Sequence, residues 1–207
     1  MEWAAIFSFL GASIILTLAP GPDNLFVISQ SIIHGKKAGI VTAFGLCSGI
    51  TVHTLAAAFG VAALLHQSSI LFQLLKFAGA AYLLYLAWQA VKERNEPLEK
   101  VEAPRLKTWK LYRKGILMNV LNPKVSLFFL AFLPQFVSPN AENPSIQMIV
   151  LGFLFMLQAV LLFSLIAIGA GTIGSGMMKR SNLAKFIHTV KAALFAVIGI
   201  RIMLIDK

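Results

Sequence analysis

The chain has 207 residues, 58% of them hydrophobic and only 13% charged, with 18 Lys and Arg against 8 Asp and Glu for a formal net charge of +10. Soluble domains run at about 45–50% apolar and about 25% charged, and apolar stretches near residues 3–33, 38–65, 70–91, 115–137, 146–170 and 183–205 leave no room for one. The single cysteine, Cys47, excludes disulfides within the chain and cysteine-based zinc sites.

Most of these stretches exceed the ~20 residues that cross about 30 Å of hydrocarbon. The pattern therefore predicts an all-α, polytopic membrane protein with six transmembrane helices. The first stretch is too long for one straight crossing, since Trp3 to Ile33 would measure ~46 Å. Leu18-Ala19-Pro20-Gly21-Pro22-Asp23-Asn24 supplies a break. An interior proline removes an N–H and clashes with the preceding turn, at a cost of ~3 kcal/mol. Asp23 adds roughly 3 kcal/mol at the bilayer centre, which points to a cavity, a partner or an ion path. The same acid suits a capping role on the half-helix after Pro22. That half-helix offers free N–H groups and a positive dipole end to a carboxylate. Carbonyls left open near Leu18 and Ala19 suit an ammonium group or a cation, and Asn24 adds an amide. A cleaved signal peptide fits poorly, because the amino-terminal region carries Glu2 and no Lys or Arg.

Span two carries small residues at close spacing, Gly39, Ala43, Gly45, Ser48 and Gly49. They suit close helix packing or a moving interface. His53, near the middle of this span, suits either a neutral hydrogen-bonding role or that of a proton carrier. Lys76 lies only ~9 Å inside span three, so its ammonium can snorkel to the headgroups. Span four is interrupted by Asn119-Val120-Leu121-Asn122-Pro123-Lys124. Lys124 is ~15 Å beyond Lys114, near the midplane. It needs a cavity, open carbonyls or Asp23 as partner. Gly169-Ala170-Gly171-Thr172-Ile173-Gly174 fits a dinucleotide fingerprint in spacing, but it follows an apolar segment and Asp206 is the only later acid. It reads as glycines at a helix end. No G-x-x-x-x-G-K-[ST] motif occurs, so an ion gradient or the substrate's own gradient must supply energy. No cofactor is expected.

The positive charge marks topology. Lys and Arg concentrate after spans one, three and five, and are absent after spans two and four. The positive-inside rule makes the basic loops cytoplasmic and places both termini outside. Residues 92–113 then form a cytoplasmic linker between a first three-helix repeat, 1–91, and a second, 114–207. An odd number of spans per half inverts the second repeat. Paired broken segments at matching places in two such halves point to a transporter's binding site.

Leu16-Thr17-Leu18-Ala19-Pro20-Gly21-Pro22-Asp23-Asn24-Leu25, followed by Ser31, Gly35, Gly39, Gly45 and Gly49, resembles the signature of the lysine exporter / homoserine–threonine exporter family. Leu75-Lys76-Phe77-Ala78-Gly79-Ala80-Ala81-Tyr82-Leu83, the Asn119–Lys124 stretch and Phe132-Leu133-Pro134-Gln135-Phe136 resemble further segments of that family. The resemblance implies a bacterial inner-membrane exporter of amino acids or close derivatives, coupled to protons. It also implies functional roles for Asp23, Asn24, Asn122 and Lys124, and draws attention to Lys76.

The expected function is secondary export of an amino acid, with no enzymatic activity, no nucleic-acid partner and a homodimer as one possible assembly. The expected site comprises Pro20, Gly21, Pro22, Asp23, Asn24, His53, Lys76, Asn122, Pro123 and Lys124. One rival is a metal-cation exporter using Asp23 and His53, although such ions need several oxygen or imidazole ligands. Another is a membrane-embedded enzyme assembled from Ser29, Ser31, His53 and Asp23.

Overall fold

The computed structural model describes residues 3–19, 21–61, 69–92, 106–138 and 141–173, with scattered helical positions between 189 and 200. Pro20, most of the linker and most of the expected sixth span lie outside these residues. Among them every regular element is a helix. The helices are α1 (Trp3–Leu18), α2 (Pro22–His34), α3 (Lys36–Leu55), α4 (Ser69–Lys92), α5 (Thr108–Val120), α6 (Pro123–Leu127) and α7 (Pro144–Ile173). A π-helical stretch, Ala56–Val61, extends α3. Another, Phe128–Phe132, followed by a 3-10 turn at Leu133–Phe136, extends α6.

Lys36–Gly60 and Pro144–Thr172 are long and apolar enough to cross a membrane. The pairs α1–α2 and α5–α6 with its extension qualify as bent spans, kinked by 58° and 50°. The described residues thus contain two to four spans. Local chemistry sets both kinks. A residue before proline is pushed out of the helical region, and Gly21 (ψ 178°) and Asn122 (ψ 107°) are both extended. Pro22 and Pro123 then open the next helix, where a missing N–H costs nothing.

The long helices expose apolar side chains, as a lipid-facing surface requires. On α7, Phe153, Leu157, Leu161 and Leu165 form an exposed row, while Leu151, Phe155, Ala159 and Phe163 are buried on the opposite face. Six phenylalanines, Phe9, Phe128, Phe129, Phe132, Phe136 and Phe155, pack ring against ring at 4.9–6.5 Å between α1, α7 and the extension of α6.

α3 is the central helix, packing chiefly on α5 and α7. Its small residues permit this. A Cβ on Gly45 would collide with the Tyr112 carbonyl, and one on Gly49 would lie 2.9 Å from the Asn119 Cβ and 3.0 Å from the Ile116 carbonyl. Gly45 and Gly49 thus permit close helix packing. Gly35, at φ 86°, turns the chain from α2 into α3 in a conformation that favours glycine.

Candidate functional site

The two breaks meet, and each is completed by the other half of the chain. α1 ends at Leu18, leaving carbonyls with no partner in the next turn. The Lys124 ammonium fills that place, donating to the Leu16 carbonyl at 3.2 Å and the Ala19 carbonyl at 3.1 Å. A Cβ on Gly21 would lie 3.3 Å from that nitrogen, so a larger residue there would crowd it. Lys124 is therefore solvated by open carbonyls, as its depth requires, but they belong to the first break.

Asp23 is the reciprocal case. It sits in the first turn of α2, where the helix dipole favours an anion. Its Oδ2 accepts from the Asn119 amide of α5 at 3.1 Å. The capping expectation needs correction, because α2 is preceded by Gly21 and shows no side-chain cap. The second break does have one: Asn122 Oδ1 accepts from the Lys124 backbone N–H at 3.0 Å, and this bond helps α6 restart. The expectation that Leu18 and Ala19 would offer carbonyls to a substrate cation also changes. The Ala19 carbonyl is already engaged by the protein's own ammonium.

His53 reaches the same junction from α3. Its Nε2 lies 3.0 Å from the Asn119 carbonyl. A carbonyl can only accept, so Nε2 carries the proton. Asn119 thus ties α3 to α2, through its carbonyl on one side and its amide on the other. Asn24 turns the other way and donates to the Thr17 carbonyl at 2.8 Å. The Thr17 hydroxyl lies 2.9 Å from the Gln158 amide of α7.

Asp23, Asn24, Asn119, Asn122, Lys124 and His53 are all at most 7% exposed. Several of their polar atoms still lack a hydrogen-bond partner among the described residues: Asp23 Oδ1, Asn24 Oδ1, Asn119 Oδ1 and Asn122 Nδ2. Each such atom costs ~1–3 kcal/mol when left dry, so a polar ligand or water has partners waiting here. The Asn24, Asn119 and Asn122 amides are fixed in orientation. Two donate to groups that only accept, and the third accepts from a backbone N–H. The set offers three acceptors, one of them a carboxylate oxygen, and one donor.

Gly21, Pro22, Asp23, Asn24, His53, Asn122, Pro123 and Lys124 are thus brought together or frame the junction. Pro20 and the Lys76 side chain lie outside the described residues. Asn119, Thr17 and Gln158 were not singled out from the sequence as site residues. Gln158 carried a signal, being a carboxamide near the middle of an apolar helix. No group of three or more His, Cys, Asp or Glu able to hold a metal occurs among the described residues. The Ser31 hydroxyl donates to the Val27 carbonyl of its own helix, while His53 Nε2 is engaged with Asn119.

Broken apolar helices that meet at a buried, partly unsatisfied polar centre define a transporter-type membrane protein. The chain matches the LysE type translocator family over residues 14–205, and it belongs to that family. It is 33% identical over 196 residues to the uncharacterized membrane protein PA4757 of Pseudomonas aeruginosa, covering 91% of this chain and 90% of that one. A Vibrio cholerae membrane protein is 31% identical over 164 residues, covering 79% and 80%, and YrhP of Bacillus subtilis is 27% identical over 206 residues, covering 95% and 97%. Both are likewise named uncharacterized membrane proteins. No solved structure matches the chain.

Proposed function

We propose that this protein exports an amino acid or a close derivative from the cytoplasm, driven by the proton gradient. The carrying observation is the polar balance at the junction. Asp23 Oδ1, Asn24 Oδ1 and Asn119 Oδ1 are open acceptors, suited to the three N–H bonds of an ammonium group. Asn122 Nδ2 is an open donor, and the start of α2 adds the positive end of a helix dipole for a carboxylate. A zwitterion satisfies both. His53, joined to Asp23 through Asn119, is the group able to take up and release the coupling proton.

In this reading residues 1–91 and 114–207 are inverted three-helix repeats of a six-span bacterial inner-membrane protein, joined by a cytoplasmic linker at 92–113. Alternating access comes from rocking at the seam between the two breaks. Homodimerisation is compatible with this arrangement.

Inside-out vesicles from overexpressing cells should accumulate a labelled amino acid from a mixed panel, and a protonophore should abolish the uptake. Asp23→Asn vesicles should accumulate none. Uptake that persists after the proton gradient is collapsed would remove proton coupling. Failure of the whole panel, with the protein present in the membrane, would remove amino-acid export.

A further inference from the structure

A helical carbonyl accepts from the N–H four residues further on. For Leu16 the sequence deletes that donor, because the fourth residue after it is Pro20, which has no N–H. The carbonyls at this end of α1 are met one by one. Ile15 accepts from the Ala19 N–H at 2.9 Å, as the helix pattern requires. Thr17 accepts from the Asn24 amide at 2.8 Å. Leu16 and Ala19 both turn to one atom, the Lys124 ammonium nitrogen, at 3.2 and 3.1 Å.

A neutral donor suffices at Thr17, so the cation at Leu16 and Ala19 needs a reason of its own. Lys124 stands in the first turn of α6, directly after Pro123, where the helix dipole opposes a positive charge. It is also buried, and loss of water opposes the charge again. The end of α1 reverses both effects. It presents the negative end of its own dipole, and its two carbonyl oxygens take the place of water around the nitrogen. Gly21 keeps the approach open, since a Cβ there would lie 3.3 Å from the nitrogen and 3.9 Å from the lysine Cε. In transporters built on discontinuous helices, such open ends hold the coupling ion. Here the chain itself fills the place.

We infer that the proline-interrupted end of α1 is a binding site for a primary ammonium, and that Lys124 is its tethered ligand, supplied by the second break. An ammonium brings directed N–H donors together with its charge, whereas a sodium ion brings charge alone. The protein therefore needs no sodium ion at this break. The inference goes beyond the export reading and holds whatever solute is moved.

The test is thermal unfolding of the full-length protein in detergent, which requires no transported solute. Lys124→Ala removes the ammonium and opens a space along its stem, and it should lower the midpoint by about 5 °C or more. Ethylammonium chloride should recover most of that loss and then saturate, as binding to the folded state requires. Tetramethylammonium chloride and sodium chloride at equal ionic strength should not recover it. Lys124→Met, whose stem fills the space, should respond to none of the three salts, and neither should the unaltered protein. Equal recovery by all three salts would reduce the effect to screening and overturn the site. Recovery by sodium in place of ethylammonium would make it a metal site and overturn the ammonium assignment. Saturable stabilisation of the unaltered protein by any of the salts would show that Lys124 does not fill the place. An unchanged midpoint in Lys124→Ala would show that the carbonyls need no cation. Should Lys124→Ala not accumulate, Lys124→Gln is one bond shorter than lysine and leaves room for the ammonium ion itself. Ammonium chloride should then raise its midpoint where tetramethylammonium chloride does not, and no difference between the two would overturn the inference.

Discussion

Replacing Lys124 with Met keeps a long apolar stem and removes the ammonium that joins the two breaks. The lysine donates to two buried carbonyls, at 3.2 Å to Leu16 and 3.1 Å to Ala19. Hydrogen bonds from a charged donor contribute about 1.5–3 kcal/mol each, and a stranded buried acceptor costs about 1–3 kcal/mol. Relief of the ammonium's own desolvation offsets part of this, so a net loss of about 2–4 kcal/mol is expected. Asp23→Asn is milder locally, because an amide oxygen can still accept from Asn119. It removes the negative charge of Asp23 from an interior where charges are weakly screened. At an effective dielectric constant of about 20, opposite unit charges about 4 Å apart attract by about 4 kcal/mol, and the attraction falls inversely with separation. The double variant should therefore be less destabilised than the sum of the singles by more than about 0.5 kcal/mol. The assay is a double-mutant cycle on unfolding in mixed detergent, with accumulation in the membrane as a second readout. Additivity within about 0.5 kcal/mol would show two charges with independent niches and refute the electrostatic link across the seam.

Pro22→Ala and Pro123→Ala should each let a continuous helix form; insertion should be normal and vesicle transport lost, and normal transport in both would sink the broken-helix mechanism. Gly49→Val should lower thermal stability by about 1–3 kcal/mol through overpacking, because its Cβ would lie 3.0 Å from the Ile116 carbonyl and 2.9 Å from Asn119; unchanged stability would mean that α3 and α5 can separate freely. Single cysteines at Glu99 and Asn140, in a Cys47-free background, should give labelling by an impermeant thiol reagent in intact cells only at Asn140, and the opposite pattern would reverse the topology.

The places where the helices break were legible in the sequence because their cause is local. A residue before proline is pushed away from the helical region, as Gly21 and Asn122 are, and Pro22 and Pro123 each open the helix that follows. Depth was legible for the same reason, since counting residues from Lys114 to Lys124 shows that the ammonium cannot reach the headgroups. Spacing along α3 likewise announced a close approach, which Gly45 and Gly49 now make against α5.

What each buried group would find as its partner was not legible. Lys124 reaches back 108 and 105 residues to Leu16 and Ala19, Asn119 reaches 96 residues to Asp23, and Gln158 reaches 141 residues to Thr17. The sequence alone determined that open carbonyls and a deep charge exist in each half. Only the packing of α3 against α5 and α7, a sum of many weak contacts between distant segments, decided that the cation of one half closes the break of the other.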